Sequence, residues 1–289
     1  MVVLPRLLAL VVSAASAVGV WATWRVFVAT ATGQAIEKAA LAGAAYGQTR
    51  LWRLAEPLLD VVSFTALAAG AAVAVGIALA RRRWALAVSA LVLVGGANVT
   101  TQVLKAWVLD RPALGGDLAG GPSLPSGHTT AAASFAAALV LVVPRRARPW
   151  AAALGAVYTA ATGVSTLIGQ WHRPSDVVAA ILVVLAWAAL VCAVGTGSAV
   201  AEARGPAQDG AGRRAGTAPA VAVLLLGALL AGLPAAWGGV EAYRAVSAGG
   251  PAGDVATYAA GALAVASVSA VAFAVLLLVR HSIARPRDS

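Results

Sequence analysis

Charge is scarce in this chain: Asp, Glu, Lys and Arg make up 11% of 289 residues, against 61% hydrophobic residues. A soluble domain carries roughly a quarter of its residues as charges, so the balance excludes one and describes an integral membrane protein. Cysteine is nearly absent. The one thiol, Cys192, lies inside an apolar run, which excludes an internal disulfide and a cysteine-bound metal. Histidine is limited to His128, His172 and His281. Stretches that alternate apolar with polar residues are missing as well, which excludes a transmembrane β-barrel.

What the chain has is a series of continuous Ala-, Leu- and Val-rich runs, at 7–28, 57–80, 84–104, 128–143, 149–171, 173–195, 219–238 and 254–279. Each is close to the roughly 20 residues that cross a bilayer as a helix, except 128–143, which is shorter and opens on polar groups. These eight candidates predict an all-α polytopic membrane bundle. The net charge of +10 does not indicate nucleic acid, because the basic residues are dispersed over short junctions rather than gathered on one soluble surface. Arg6, Arg81 to Arg83, Arg145, Arg146, Arg148, Arg204, Arg213, Arg214, Arg280, Arg285 and Arg287 fall at every second junction. The positive-inside bias then predicts a cell-membrane protein with both termini cytoplasmic and with the 105–127 loop, the 171–174 turn and the 239–253 loop outside. The first run stays apolar from Arg6 through Trp21 to Val28, the pattern of an uncleaved anchor rather than a signal peptide.

Two segments break the apolar pattern. Residues 30–56 mix Ala and Leu with Gln34, Glu37 and Lys38, which predicts an interfacial amphipathic helix on the outer surface, an ordinary solvated connection being the alternative. Residues 196–218, rich in Gly, Ser, Pro and Arg, read as a flexible cytoplasmic linker between a six-span part, 1–195, and a two-span extension with a basic tail, 219–289.

Polar residues inside or beside apolar spans must be satisfied by one another or by a task, and here they collect in three places. Lys105 and Arg111 flank the end of the third run, Pro125-Ser126-Gly127-His128 opens the fourth, and His172-Arg173-Pro174-Ser175-Asp176 opens the sixth. From His128 the chain crosses, turns at Arg145 to Arg148 and returns by His172, about 24 and 34 Å of helix at 1.5 Å per residue. Both histidines therefore come to one face, beside the loop that holds Lys105 and Arg111. Each part suits phosphate chemistry. Ser126, Gly127 and His128 start a helix whose free N–H groups cradle an anion. Lys105 and Arg111 neutralise phosphoryl oxygens. Asp176 holds the His172 imidazole in one tautomer, leaving its other nitrogen to attack, while a protonated His128 delivers a proton to the leaving oxygen. Simpler readings exist for single residues: Asp176 as a helix-capping acid, Lys105 as a span anchor, Arg111 as a headgroup contact, and Trp107 and Trp171 as belt aromatics.

In this order the three motifs resemble the signatures of the type 2 phosphatidic acid phosphatase superfamily, which includes membrane lipid phosphatases, polyprenyl-diphosphate phosphatases and glucose-6-phosphatase and shares its site with vanadium haloperoxidases. The resemblance covers 105–176, about a quarter of the chain. It implies a six-helix phosphatase-like core and a metal-independent reaction, without any cofactor, through a phosphohistidine. It also implies His172 as nucleophile, Asp176 as its supporting acid and His128 as general acid, with Lys105, Arg111, Ser126 and Gly127 on the phosphate. The chain departs from the family twice. Ser165 matches, but Thr166 stands at the arginine position of the third motif. Lys105 and Arg111 are separated by five residues where six are usual. An arginine supplies charge where it develops in the transition state and a threonine does not; Arg173, next to His172, is the candidate replacement.

The expected activity is hydrolysis of a lipid phosphate or isoprenoid diphosphate at the outer membrane face, with membrane lipids as surroundings and no nucleic-acid partner. The alternatives are a lipid-linked phosphotransferase with the same intermediate and a non-catalytic lipid-binding protein of the same fold.

Overall fold

The computed structural model describes residues 3–61, 64–80, 82–114, 123–195 and 210–283. Arg81, the glycine-rich loop 115–122, residues 196–209 of the expected linker with Arg204, and the tail arginines Arg285 and Arg287 lie outside the described residues. Among the described residues every regular element is helical. Helix α1 (Val3–Thr23) continues through a π-helical turn, Trp24–Val28, and is followed by α2 (Ala31–Val61) and α3 (Phe64–Ala80). Helix α4 (Trp84–Val103) ends in a second π-helical turn, Leu104–Val108. Then come α5 (Gly127–Val142), a 3-10 turn at Arg145–Ala147, α6 (Arg148–Ile168), α7 (Pro174–Val194), α8 (Gly210–Ser247) and α9 (Asp254–Ile283).

Among the described residues, six helical stretches are long and apolar enough to cross a bilayer: Val3–Val28, Trp84–Val108, Arg145–Ile168, Pro174–Val194, Gly216–Ser247 and Asp254–Ile283. The protein is thus a polytopic helical bundle, as its hydropathy predicts. The remaining two apolar runs form shorter helices. The run expected at 57–80 is divided, its beginning belonging to α2 while α3 starts at Phe64. Helix α5 has 16 residues, of which twelve are buried, because α3, α4, α6 and α7 surround it. A helix enclosed by protein need not match the bilayer, so the roughly 24 Å that 16 residues span is sufficient. Ala131, Ala132, Ala133, Ala136, Ala137 and Ala138 let those neighbours approach closely, the usual device where helices pack in lipid.

The two ends of the bundle are distinguishable. Arg6 Nη2 donates to the Gly195 carbonyl at 3.0 Å, which joins the start of α1 to the end of α7 and puts both opposite the start of α7, where His172 and Asp176 lie. Exposed tryptophans mark both levels, Trp84 and Trp150 at the arginine end, Trp107 and Trp171 at the histidine end. Trp84 to Trp107 spans about 35 Å at helical rise, a match to a hydrocarbon core of about 30 Å with an aromatic belt on each side.

Two expectations from the sequence are revised. Residues 210–218 of the expected linker form the first turns of α8. In α2, the face bearing Gln34 and Glu37, expected at the membrane interface, is turned into the protein, with Glu37 only 2% exposed. Helix α2 packs against α6 and α9, and α9 in turn against α6, α7 and α8. Val265, Phe273 and Leu277 of α9 join the main hydrophobic cluster, so the last two helices are laid on the core rather than hung from it.

Close helix approach depends on Gly163 of α6, where an added Cβ would stand 2.5 Å from Val177 Cγ1 and 3.0 Å from Val265 Cγ1. Overpacking of this kind costs about 1–3 kcal/mol. We therefore expect Gly163→Ala to lower the thermal midpoint in detergent, measured by fluorescence, whereas Gly76→Ala, where a Cβ meets nothing within 4 Å, leaves the midpoint unchanged or raised.

Candidate active site

The three polar motifs meet at one end of the bundle, and local structure explains how each is presented. Helix α4 does not end as an α-helix. Its π-helical turn carries Lys105, with the Leu109 N–H closing on the Leu104 carbonyl at 2.8 Å. Such π-helical turns are rare and occur frequently at functional sites. Lys105 and Arg111 both lie within electrostatic reach of Asp176.

Arg111 sits on a loop fastened at both sides. Trp24 Nε1 donates to the Asp110 carbonyl at 2.8 Å, and Gln34 Nε2 donates to the Pro112 carbonyl at 2.8 Å and to the Val28 carbonyl at 2.7 Å. The guanidinium itself is half-buried. Its Nε and Nη1 have no hydrogen-bond partner among the described residues, an arrangement that costs free energy unless an acceptor arrives. Burial, and after it the nearby Arg173 guanidinium, holds Arg111 below the usual arginine value. The loop is short of negative charge in the way an anion would correct.

The Pro125-Ser126-Gly127-His128 turn is built around an N-cap. The Ser126 hydroxyl is fully buried and accepts from the Thr129 N–H at 3.4 Å and from the Thr129 hydroxyl at 3.1 Å. The Ser126 N–H donates to the Asp176 carbonyl at 2.9 Å. Ser126, expected from sequence among the phosphate ligands, thus has its N–H engaged within the protein while its hydroxyl acts as acceptor, and it stands at the end of α5 beside the N–H groups of Gly127 and His128. Space above Gly127 is open, the nearest atom to an added Cβ being Gln102 Nε2 at 3.7 Å.

The third motif follows a tight turn. Thr166 is buried, and its hydroxyl donates to the Gly163 carbonyl at 2.7 Å, while its own carbonyl accepts from the Trp171 and His172 N–H groups at 3.0 and 3.3 Å. Its side chain faces its own helix, and its main chain shapes the turn that presents His172. Gln170 adopts φ of 57°, left-handed backbone uncommon for a side chain, and its amide is held by the Leu41 carbonyl at 2.9 Å. Pro174 occupies the first turn of α7, as its fixed φ favours. Asp176, wholly buried, places Oδ2 at 3.2 Å from His172 Nδ1 and accepts the Arg173 N–H at 2.9 Å. Asp176 therefore caps the helix and orients the imidazole at once.

The rings of His128 and His172 stand 6.5 Å apart, edge toward face, with Trp171 5.4 Å from His128. Arg173 Nη1 donates to Ser123 at 3.0 Å, which holds its guanidinium beside the turn that leads into Pro125. Thus Lys105, Arg111, Gly127, His128, His172, Arg173 and Asp176 are brought together.

Sequence reasoning missed Glu37. Its Oε1 accepts the Ser175 N–H at 3.2 Å and its Oε2 the Ser175 hydroxyl at 2.6 Å. Burial, then the neighbouring Asp176 charge, pushes its pKa up to about 7 against the opposing Ser175 hydrogen bonds and Arg173. The signal was present: Gly33, Gln34, Glu37, Ala40 and Ala44 follow helical spacing, a stripe of small residues with an acid and an amide embedded in it. Gln34 and Trp24, which fasten the Arg111 loop, escaped notice for the same reason.

No curated protein and no solved structure matches the chain. Residues 86–197, which hold Lys105, Arg111, His128, His172 and Asp176, match the family model described as PAP2 superfamily, the type 2 phosphatidic acid phosphatase superfamily that the three motifs resemble.

Proposed function

We propose that this membrane protein is a phosphatase for a lipid phosphate or diphosphate, working through a phosphohistidine on His172. The observation that carries the reading is the facing pair of histidines, one bonded to a buried carboxylate, with Lys105, Arg111 and Arg173 gathered about the gap. Asp176 on Nδ1 leaves His172 Nε2 with its lone pair toward phosphorus. A bond forms from Nε2 to phosphorus as the bond to the leaving oxygen breaks, and that oxygen takes the proton of His128. Water, giving its proton to His128, then cleaves the nitrogen–phosphorus bond and frees inorganic phosphate. Lys105, Arg111, Arg173 and the N–H groups of Gly127 and His128 stabilise charge on the equatorial oxygens.

The arginine distribution supports a site on the extracytoplasmic side with both termini in the cytoplasm. A headgroup entering between Trp107 and Trp171 keeps its tail in the bilayer, which suits a lipid substrate. One observation favours a second reading, a lipid-binding protein without turnover: Thr166 cannot supply the charge of the arginine it replaces.

Purified protein in detergent, assayed for phosphate release against a panel of lipid phosphates and diphosphates, separates these readings. Release by the wild type and its loss in His172→Ala are expected; equal release by both proteins, or none from any substrate, overturns the phosphatase reading. Trapping of labelled phosphate on His172 is expected in an acid-free gel. For the replaced arginine, Arg173→Ala should lower kcat by about 10²–10³-fold, as removal of one transition-state donor does, and to a degree comparable with Lys105→Ala. Unchanged turnover in Arg173→Ala rejects its role on the phosphoryl group.

A further inference from the structure

Among the described residues, Glu37 is the one buried acid near the site that the proposed reaction does not use, and it lies on α2, outside the stretch that matches the family model. Its carboxyl group receives both donors of Ser175, the second residue of α7, while the carboxylate of the next residue, Asp176, receives the Arg173 N–H and faces His172. Two acids therefore share one helix N-terminus, where the N–H groups and the helix dipole favour negative charge. Only one of them touches a histidine. Resting on the reading of this site as a phosphatase, we infer that Glu37 is a positioning residue: it fixes the first turn of α7 through Ser175, and its charge beside Asp176 sets the pH range in which the His172–Asp176 pair works.

The surroundings of Glu37 define what its titration does. Asp176 acts on it from α7, Arg173 from the α6–α7 turn and Arg111 from the α4–α5 loop. On its own helix Lys38 is exposed and Gln34 is committed to the Val28 and Pro112 carbonyls. Helix α9 meets α2 farther along, bringing Asp254 and Tyr258 to Gly43 and Gly47, the α6–α7 turn brings Gln170 to Leu41, and helix α8 contributes Ala242 and Val246 beside Ala39 and Ile36. With its pKa raised to about 7, Glu37 is neutral below that pH, and Asp176 is then the single negative charge at the start of α7 among the described residues. As pH rises through about 7 a second negative charge appears there. It repels the phosphoryl oxygens, which lowers kcat/KM. The sign follows from the raised value: the neutral form belongs to the folded site, so the working state is present at low pH and lost as pH rises through the folded pKa.

The test measures kcat/KM for one lipid phosphate from about pH 5 to about pH 9 in wild type, Glu37→Gln and His172→Ala. Gln keeps the shape and an oxygen for the Ser175 N–H but does not titrate. The falling limb near neutrality should move to higher pH in Glu37→Gln, giving an advantage over wild type that grows by about tenfold per pH unit at most. Superimposable profiles, or a uniform fall in kcat at every pH, overturn the inference while His172→Ala remains inactive. Equal activity in wild type and His172→Ala overturns the phosphatase reading itself, and this inference with it. Should Glu37→Gln not fold, Ser175→Ala keeps the carboxyl group and removes a bond that favours its charged form, so the limb should again move to higher pH; an unmoved limb rejects the role.

Discussion

Asp176 is bonded through its side chain and its main chain to different parts of the site. Its carboxylate joins His172 to the cap of α7, and its carbonyl receives the Ser126 N–H from the turn that opens α5. The distance between the two histidines is therefore set by one residue with no exposure to solvent. Moving α7 along its axis would break the cap, the imidazole contact and the link to Ser126 together. In a low-dielectric surrounding each of these bonds is expensive to leave unmade, so the site has one geometry.

The rest of the bundle can be understood as support for that turn. Helix α5 is enclosed by neighbours because its alanines allow it, and Gly163 lets α6 reach α7 at the level where Thr166 and Asp176 stand. Around the rim, α1, α2 and the two π-helical turns fasten the loops. Unpaired backbone groups are costly within a membrane, and here the carbonyls of Asp110 and Pro112 are paired with the side chains of Trp24 and Gln34, while the turn at Gln170 is tied to α2 through the Leu41 carbonyl. The nonhelical backbone near the site is thereby held by protein.

Much of this was legible in the sequence because both governing signals are local. Apolar runs give spans, and a Ser before Gly-His or a Pro followed two residues later by Asp gives a capped helix start. The convergence of Lys105, Arg111, His128 and His172 followed from counting helical rise. What escaped reading depends on contacts between distant segments. Glu37 and Ser175 are 138 residues apart, and Trp24 and Asp110 are 86 apart; no spacing rule connects them. The same holds for the link between the Ser126 N–H and the Asp176 carbonyl, which joins the starts of α5 and α7. The shortness of α5 and the division of the 57–80 run were equally hidden, since hydropathy measures how apolar a stretch is and not which neighbours enclose it.

Helix α2 contributes none of the residues expected to touch phosphate, yet Gln34, Glu37 and Leu41 on three successive turns each hold a different piece of the site: the Arg111 loop, the head of α7 and the turn before His172. The recognisable signatures occupy a stretch that begins well after this helix. A substitution in α2, far from any signature, can therefore shift the geometry and the electrostatics of the site while every motif residue is retained.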